Sequence, residues 1–229
     1  MRRGLQILMA ILMIAAIYCT FRYRVLPSSA TGQKGTKVIV IDPGHGGEDP
    51  GKVGINDVLE KEINLAISEK LKELLEKEGY VVILTRKDDN GLYESQDTNK
   101  KVADMKARCR IIEEAGADIV VSIHQNSFHQ ESVCGAQVFY YKHSEQGRKL
   151  ATVIQEALRE GLDPENTRQA KENSSYYMLV HTPCPTVIVE CGFLSNREEA
   201  ERLAQEDYQA KVASAVCKGI QTFFMGSDE

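Results

Sequence analysis

The 229-residue sequence has no basic stripe with interleaved aromatic residues, and its net charge is −5 at pH 7. We therefore expect no nucleic-acid partner, because such partners need a surface that neutralises phosphates. The chain also lacks a Cys-x-x-Cys pair, which argues against zinc knuckles and dithiol redox sites. It has no His-Glu-x-x-His sequence, which excludes the common helix-borne type of hydrolytic metal site. A Gly-x-Gly-x-x-Gly sequence and a complete Walker A sequence are absent, which argues against a nucleotide-binding domain.

Cysteine is scarce beyond the amino-terminal region. The five residues there are Cys109, Cys134, Cys184, Cys191 and Cys217. An odd number leaves at least one thiol unpaired within a single chain. We expect mostly buried structural thiols, and a disulfide between Cys184 and Cys191 is the alternative that the sequence leaves open.

The one long apolar run lies at the amino terminus, where residues 5–21 are apolar apart from two polar residues. This length is near the lower limit of about 17 residues for a membrane span, and Arg2 and Arg3 orient the amino terminus towards the cytoplasm. Small residues that would suit signal cleavage lie well beyond the run. We therefore expect residues 1–26 to form an uncleaved membrane anchor, with a cleaved export signal as the alternative.

The rest of the sequence indicates a linker over residues 27–36 and one α/β domain over residues 37–225. Apolar runs predict strands over residues 38–41, 80–85, 119–123, 135–141 and 186–189. Apolar residues at helical spacing predict helices from about residue 60 to Gly79, up to about residue 114, and over residues 145–160, 197–203 and 208–224. The alternation predicts an open, mostly parallel, twisted sheet with helices on both faces. Residues 163–175 are polar and predict a surface loop that lines a groove.

A glycine-rich loop containing His45 follows the first predicted strand. Glycine lets a backbone pass close to a ligand, and ligands bind at the carboxyl ends of strands in open α/β sheets. The loop alone is equally compatible with a ligand site centred on His45 and with a flexible connector that carries an exposed histidine.

Two other predicted strands end at ionisable residues, His124 and Glu190. Because the carboxyl ends of parallel strands share one edge, we expect His45, His124 and Glu190 to converge in one cleft. Glu60 either joins this cleft from the first helix or forms a capping box with Asp57. Two histidines and a glutamate are the usual ligands of a hydrolytic zinc, with a fourth residue as general base.

Four short motifs share their order and spacing with one enzyme family. They are Asp-Pro-Gly-His-Gly-Gly at residues 42–47, Glu-Lys-Glu-Ile-Asn-Leu at 60–65, Ser-Ile-His-Gln-Asn at 122–126 and Val-Glu-Cys-Gly-Phe-Leu-Ser-Asn at 189–196. Over residues 37–224 the chain resembles the zinc-dependent N-acetylmuramoyl-L-alanine amidases, also called amidase type 3. Within that family it resembles the CwlD-type amidases of spore cortex formation.

The resemblance implies that His45, Glu60 and His124 bind Zn²⁺ and that Glu190 is the catalytic carboxylate, which sets the capping box aside. It implies hydrolysis of the amide bond between N-acetylmuramic acid and L-alanine of the peptidoglycan stem peptide. It also implies a location outside the cytoplasm, in the spore intermembrane space for a CwlD-type enzyme. Peptidoglycan is then the substrate, the membrane holds the amino terminus, and an activating protein is a partner. Gln125 stands where the family usually has a small residue, and we expect it at the groove floor.

Other residues are predicted to act around this centre. Asn126, Arg168 and Lys171 are candidates for holding peptide carboxylates or glycan. Arg86 and Arg108 match arginine positions that recur in the family, with a structural role as one interpretation. The alternative function is a non-catalytic peptidoglycan-binding protein on the same fold, and the presence of all four site residues argues against it.

Overall fold

The structure is a computed structural model, and it describes residues 36–226. The predicted anchor over residues 1–26 and nearly all of the predicted linker lie outside the described residues. Between residues 36 and 226, no helix combines the length and the apolar character that a membrane crossing needs.

Six strands form one sheet in the described part of the chain. They are β1 (Val38–Pro43), β2 (Val81–Leu84), β3 (Ile119–Asn126), β4 (Gln137–Tyr141), β5 (Lys171–Asn173) and β6 (Thr186–Phe193). Their order across the sheet is β2-β1-β3-β6-β4-β5. The strands β1, β2, β3 and β6 run parallel, and β4 runs antiparallel to β6. The predicted mostly parallel sheet is therefore confirmed.

Helices cover both faces of this sheet, as predicted. They are α1 (Glu60–Lys77), α2 (Lys100–Ala115), α3 (Glu145–Leu162), α4 (Tyr177–His181), α5 (Arg197–Leu203) and α6 (Glu206–Met225). On one face α1 and α3 pack on the strands, and α6 packs against both helices. On the other face α2 and α4 pack together.

The strand β1 shows why this sheet is buried on both faces. Ile39 and Ile41 belong to the core under α1, whereas Val40 belongs to the core under α2, and all three are fully buried. Successive side chains of a strand point to opposite faces, so an unbroken apolar run fits a strand covered from both sides. Truncating one such residue to alanine typically costs about 2–5 kcal/mol.

The first two helices end with conformations that their sequences predict. Gly79 (φ +87°) follows α1, and Gly116 (φ +59°) caps α2 in the left-handed region, which glycine adopts at little cost.

The side chain of Asn99 caps the start of α2 by accepting a hydrogen bond from the N–H of Val102. This capped start lies at the edge of the cleft described below.

Two strands are longer than predicted. The apolar runs suggested strands over residues 119–123 and 186–189, but β3 continues to Asn126 and β6 continues to Phe193. The ladder between them includes the pair His124 and Glu190. Backbone hydrogen bonds do not depend on side-chain polarity, so the strands continue after the apolar residues end. The two polar residues lie within the strands and not beyond them.

Three smaller differences concern short elements. The strand predicted over residues 135–141 begins at Gln137, and β5 pairs with the edge of β4 that does not face β6. The polar stretch over residues 163–175 was predicted as a loop, but it contains β5, a three-residue strand without apolar residues. The five-residue helix α4 is too short to show a helical period in the sequence.

Candidate metal centre and active-site cleft

His45, Glu60 and His124 form one cluster at the carboxyl edge of the sheet. Oε1 of Glu60 lies 3.2 Å from Nε2 of His45 and 3.0 Å from Nδ1 of His124. One ligand atom from each residue lies within 4.8 Å of the other two. The sequence prediction that these side chains converge, although they come from three separate motifs, is confirmed.

The loop after β1 needs glycine to bring His45 to this point. A Cβ atom on Gly44 would lie 2.2 Å from the ring of His124, so a side chain there would displace that ring. His45 itself has φ +61°, a conformation that non-glycine residues rarely adopt and that is found where structure outside the residue imposes it. The flexible-connector interpretation of this loop is therefore wrong.

Asp49 fixes the orientation of the His45 ring. Its Oδ2 lies 2.9 Å from Nδ1 of His45, and its Oδ1 accepts a hydrogen bond from the N–H of Gly51. A carboxylate on one ring nitrogen leaves the other nitrogen facing Glu60, which is how metal-bound histidines are usually held. Gly51 (φ +67°) permits this packing, since a Cβ there would lie 2.6 Å from Oε2 of Glu60.

A buried ion pair between Asp42 and Arg108 lies beneath the loop. The carboxylate of Asp42 accepts hydrogen bonds from Arg108 Nη1 at 2.7 Å and from the hydroxyls of Ser122 and Thr85 at 2.6 Å. Burial alone would raise the pKa of Asp42, but the charge of Arg108 and these donors outweigh burial and lower it to about 2. Arg108 Nη2 also donates to the carbonyl oxygen of His45, so the pair is attached to the loop.

Arg86 supports the same loop from the other side. Its Nη2 donates to the carbonyl oxygens of Gly44 at 3.0 Å and Lys61 at 2.7 Å, and its Nε donates to that of Pro43. The two arginines therefore have the structural role that was one interpretation of the sequence.

Glu60 is held by donors on several sides. Its carboxylate accepts hydrogen bonds from the N–H groups of Lys52 and Gln125, at 2.8 and 3.0 Å. Burial opposes its negative charge, but the hydrogen bonds from His124 and His45 outweigh burial and lower the pKa of Glu60 well below its usual range. The capping-box interpretation is wrong, since α1 begins at Glu60 itself and its cap residue makes no side-chain hydrogen bond.

Asn64 and Gln125 extend this network beneath the cluster. Asn64 Nδ2 donates to Oε1 of Glu60 at 3.3 Å and to the carbonyl oxygen of Gly44 at 3.1 Å. Gln125 Nε2 donates to Oδ1 of Asn64. Gln125 was expected at the groove floor, but it is buried in this network and does not line the cleft.

Glu190 lies beside the cluster as the partner of His124 across the β3–β6 ladder. It is 8% exposed, and its Oε2 has no hydrogen-bond partner among the described residues. Burial raises the pKa of Glu190 to about 7; the charge of Glu60 adds to this rise, while His124 and His45 oppose it. A buried carboxylate with an unpaired oxygen is costly unless a cation, a proton or a donor arrives at the site.

The cluster opens into a cavity of about 510 Å³, a volume within the range of small-ligand sites. Residues of the His45 loop and the start of α2 form one wall, including Lys100 and Lys101. Tyr176, Tyr177 and Met178 form another part of its lining. Neither part of the lining was predicted from the sequence. The aromatic pair in an otherwise polar stretch was a usable signal, whereas the two lysines resemble any exposed helix start.

The three residues predicted to contact substrate do not line this cavity. Asn126 Oδ1 accepts a hydrogen bond from the adjacent N–H of Ser127. Arg168 donates to the carbonyl oxygen of Cys134, and its guanidinium lies 4.7 Å from the centre of the Phe193 ring. Lys171 lies exposed on the short strand β5. Their roles in substrate binding stay predictions.

The five cysteines of the described chain are free thiols, so the alternative of a disulfide between Cys184 and Cys191 is not realised in this structure. The expectation of mostly buried thiols holds for Cys191 and Cys217 alone, because Cys109 and Cys184 are half-buried and Cys134 is exposed. Burial raises the pKa of Cys217 to about 11, which keeps this thiol protonated and unreactive near neutral pH.

The chain is similar to known proteins of one family. The family described as N-acetylmuramoyl-L-alanine amidase matches residues 39–222. The germination-specific N-acetylmuramoyl-L-alanine amidase of Bacillus subtilis is 37% identical over 191 residues, which cover 82% of this chain and 80% of that protein. The CwlD amidase from Clostridioides difficile, solved in complex with the GerS lipoprotein, is 42% identical with a TM-score of 0.81, covering 83% of this chain and 99% of that one. AmiC2 of Nostoc punctiforme, also an N-acetylmuramoyl-L-alanine amidase, is 31% identical with a TM-score of 0.73, covering 84% and 99%. The chain therefore belongs to the N-acetylmuramoyl-L-alanine amidase family, and within it resembles the CwlD-type enzymes.

Proposed function

We propose that this chain hydrolyses the amide bond between N-acetylmuramic acid and L-alanine of the peptidoglycan stem peptide, with Zn²⁺ held by His45, Glu60 and His124. The observation that carries the proposal is the convergence of three ligand atoms within 4.8 Å, in a cavity that is also lined by Glu190, whose Oε2 is buried and has no hydrogen-bond partner among the described residues. Membership of the N-acetylmuramoyl-L-alanine amidase family indicates which bond is hydrolysed.

The spacing and chemistry of the cluster are compatible with zinc. A tetrahedral zinc with metal–ligand distances of about 2.1 Å separates its ligand atoms by roughly 3.4 Å, close to the 3.0 and 3.2 Å found from Glu60 to the two histidines. Two imidazoles and one carboxylate are typical ligands of catalytic zinc. The supporting contacts from Asp49 and Asn64 orient two of these ligands, as outer-shell partners of metal sites do.

Glu190 is the proposed general base. When bound, zinc polarises the scissile carbonyl and lowers the pKa of a bound water from 15.7 to about 7. Glu190 accepts the proton of the attacking water and passes it to the nitrogen of the departing L-alanine. A nearby dication favours the ionised form of the carboxylate, which is the form that a base needs. The buried position of Glu190 keeps bulk water from competing for its unpaired oxygen.

We also propose a cellular location and binding partners for this chain. We infer that residues 1–26 anchor the chain in the membrane and that residues 37–225 act on the wall outside the cytoplasm, in the spore intermembrane space. The similarity to a germination-specific amidase supports a role in spore cortex formation. The complex of the Clostridioides difficile enzyme with a lipoprotein supports an activating protein partner for this chain too.

The direct test incubates the full chain with purified peptidoglycan and measures new amino-terminal L-alanine. We expect release that a chelator abolishes and added zinc restores. A non-catalytic wall-binding protein would sediment with the peptidoglycan without releasing amino termini, and that result with the zinc-loaded chain would contradict the proposal.

A further inference from the structure

The two walls of the cleft differ in chemistry. The wall formed by α4 and β6 carries Tyr176, Tyr177, Met178 and Ile188, and is aromatic and apolar. The part formed by the His45 loop and the start of α2 carries Lys100 and Lys101 together with the acidic residues Glu48, Asp49 and Asp104. A neutral, ring-shaped part of a substrate suits the first of these surfaces, and a charged part suits the second.

Most charges that line the cleft are already paired within the protein. Arg108 pairs with Asp42 and Asp104, and Lys100 pairs with Glu48. Among the lysines and arginines that line the cavity, Lys101 is the one that forms no ion pair or hydrogen bond with any described residue. An exposed, unpaired cation on the wall of a substrate cleft is available to an anionic ligand.

Lys101 also lies near the reacting centre. It lines the same cavity as His45 and His124, two of the three residues of the cluster. Consecutive Cα atoms of a peptide are about 3.8 Å apart, so the residue after L-alanine is within one or two residue lengths of the scissile carbonyl. A flexible four-carbon lysine stem spans such a distance.

We propose that Lys101 binds a carboxylate on the stem-peptide residue that follows L-alanine, so that the peptide leaves the cluster along α2 while the sugar faces the Tyr176–Tyr177 wall. This inference rests on the proposed function and adds the substrate's orientation and a charge preference. Ammonium groups bind carboxylates through charge-assisted hydrogen bonds, and sugar rings present apolar faces to aromatic side chains.

The test uses two matched substrates that carry N-acetylmuramoyl-L-alanine followed by the same residue, once with a free carboxylate and once with a carboxamide. For the full wild-type chain we expect kcat/KM to be about 2- to 5-fold higher with the carboxylate, mainly through a lower KM, because a partly exposed ion pair contributes modestly. Added salt should shrink this ratio, since it screens exposed charges.

Three variants separate a local contact from a general charge effect. Lys101→Met should lose the preference by slowing only the carboxylate substrate, and Lys101→Glu should reverse it. Lys106→Met is the matched control, because Lys106 is an exposed lysine on the same helix that does not line the cavity. It should keep the wild-type ratio.

The outcomes distinguish this inference from the proposed function. If the wild-type chain cleaves both substrates at equal rates, or Lys101→Met retains the preference, the role of Lys101 is wrong while the amidase activity stands. If the zinc-loaded wild-type chain cleaves neither substrate, the proposed function fails, and the inference fails with it.

Discussion

His124 and Glu190 are direct partners across the ladder of the parallel strands β3 and β6. One side chain belongs to the candidate metal cluster, and the other is a buried carboxylate whose pKa burial raises to about 7. The pairing fixes the distance between the proposed ligand and the proposed base through the backbone of the sheet. A ligand and a base held by two neighbouring core strands keep their geometry without help from a mobile loop.

The first prediction concerns metal content. Replacing His124 by alanine removes one of three ligands, so the purified full chain should lose most of its zinc, as measured by elemental analysis. The control is His129→Ala, an exposed histidine outside the cluster, which should keep one zinc per chain. Full zinc occupancy in His124→Ala would remove the proposed site.

The second prediction concerns Gly44. A Cβ at this position would lie 2.2 Å from the His124 ring, so Gly44→Ala should displace that ring. Both zinc affinity and turnover should fall. We expect zinc affinity to fall by about 10- to 100-fold, the range found when an outer-shell partner of a metal site is lost. Gly226→Ala meets its nearest atom at an ordinary 3.6 Å and should leave both unchanged. Wild-type zinc affinity in Gly44→Ala would show that the close approach is unimportant.

The third prediction concerns stability in acid. The pKa of Asp42 is lowered from 3.8 to about 2 in the folded chain, because Arg108 and two hydroxyl donors outweigh the cost of burial. The folded state therefore gains stability that is present above pH 3.8 and is lost as the pH falls towards 2. The shift corresponds to about 2 kcal/mol in the free energy of unfolding.

Denaturant unfolding between pH 6 and pH 2 measures this contribution. Asp42→Asn should be less stable at pH 6, because it leaves Arg108 buried without its carboxylate partner, and its unfolding free energy should fall less over this pH range. Asp207→Asn, which removes an exposed carboxylate on α6, should follow the wild-type curve. Parallel curves for Asp42→Asn and wild type would contradict the role of this pair.

The fourth prediction concerns the amino terminus. The apolar run over residues 5–21 should hold the full-length chain in the membrane fraction, and its amino-terminal sequence should begin at the start of the chain. Cell fractionation with amino-terminal sequencing measures both. A soluble mature protein that begins near Thr31 would show a cleaved signal instead.

Much of the fold could be predicted from the sequence, because most of its strands contain unbroken apolar runs and its longer helices are amphipathic segments. The strand ends could not be predicted, since β3 and β6 continue through His124 and Glu190 by backbone pairing that leaves no apolar signal. The convergence of His45, Glu60 and His124 was predictable because three motifs carry these residues. The walls of the cleft were not, because α4 is one short turn and Lys101 differs from other surface lysines only in what it faces.

The residues that orient the cluster could not be predicted from the sequence either. Asp49 and Asn64 orient His45 and Glu60 through contacts that depend on the folded loop and on the start of α1. Glu60 is a clear case of tertiary structure overriding a local pattern, since the capping spacing with Asp57 is present but the carboxylate bonds two histidines instead. The local spacing alone predicts a capping box with Asp57, but in the folded chain the contacts of Glu60 with the two histidines replace it.

The most direct test of the account is the zinc content and turnover of Glu190→Gln, measured together on purified peptidoglycan. The substitution keeps the shape of the side chain and removes the proton acceptor, so we expect wild-type zinc content and a loss of about 100- to 10,000-fold in the release of amino-terminal L-alanine. Near-normal turnover with zinc bound would show that Glu190 is not the base. Loss of zinc would show instead that Glu190 is a ligand, and would contradict the assignment of Glu60.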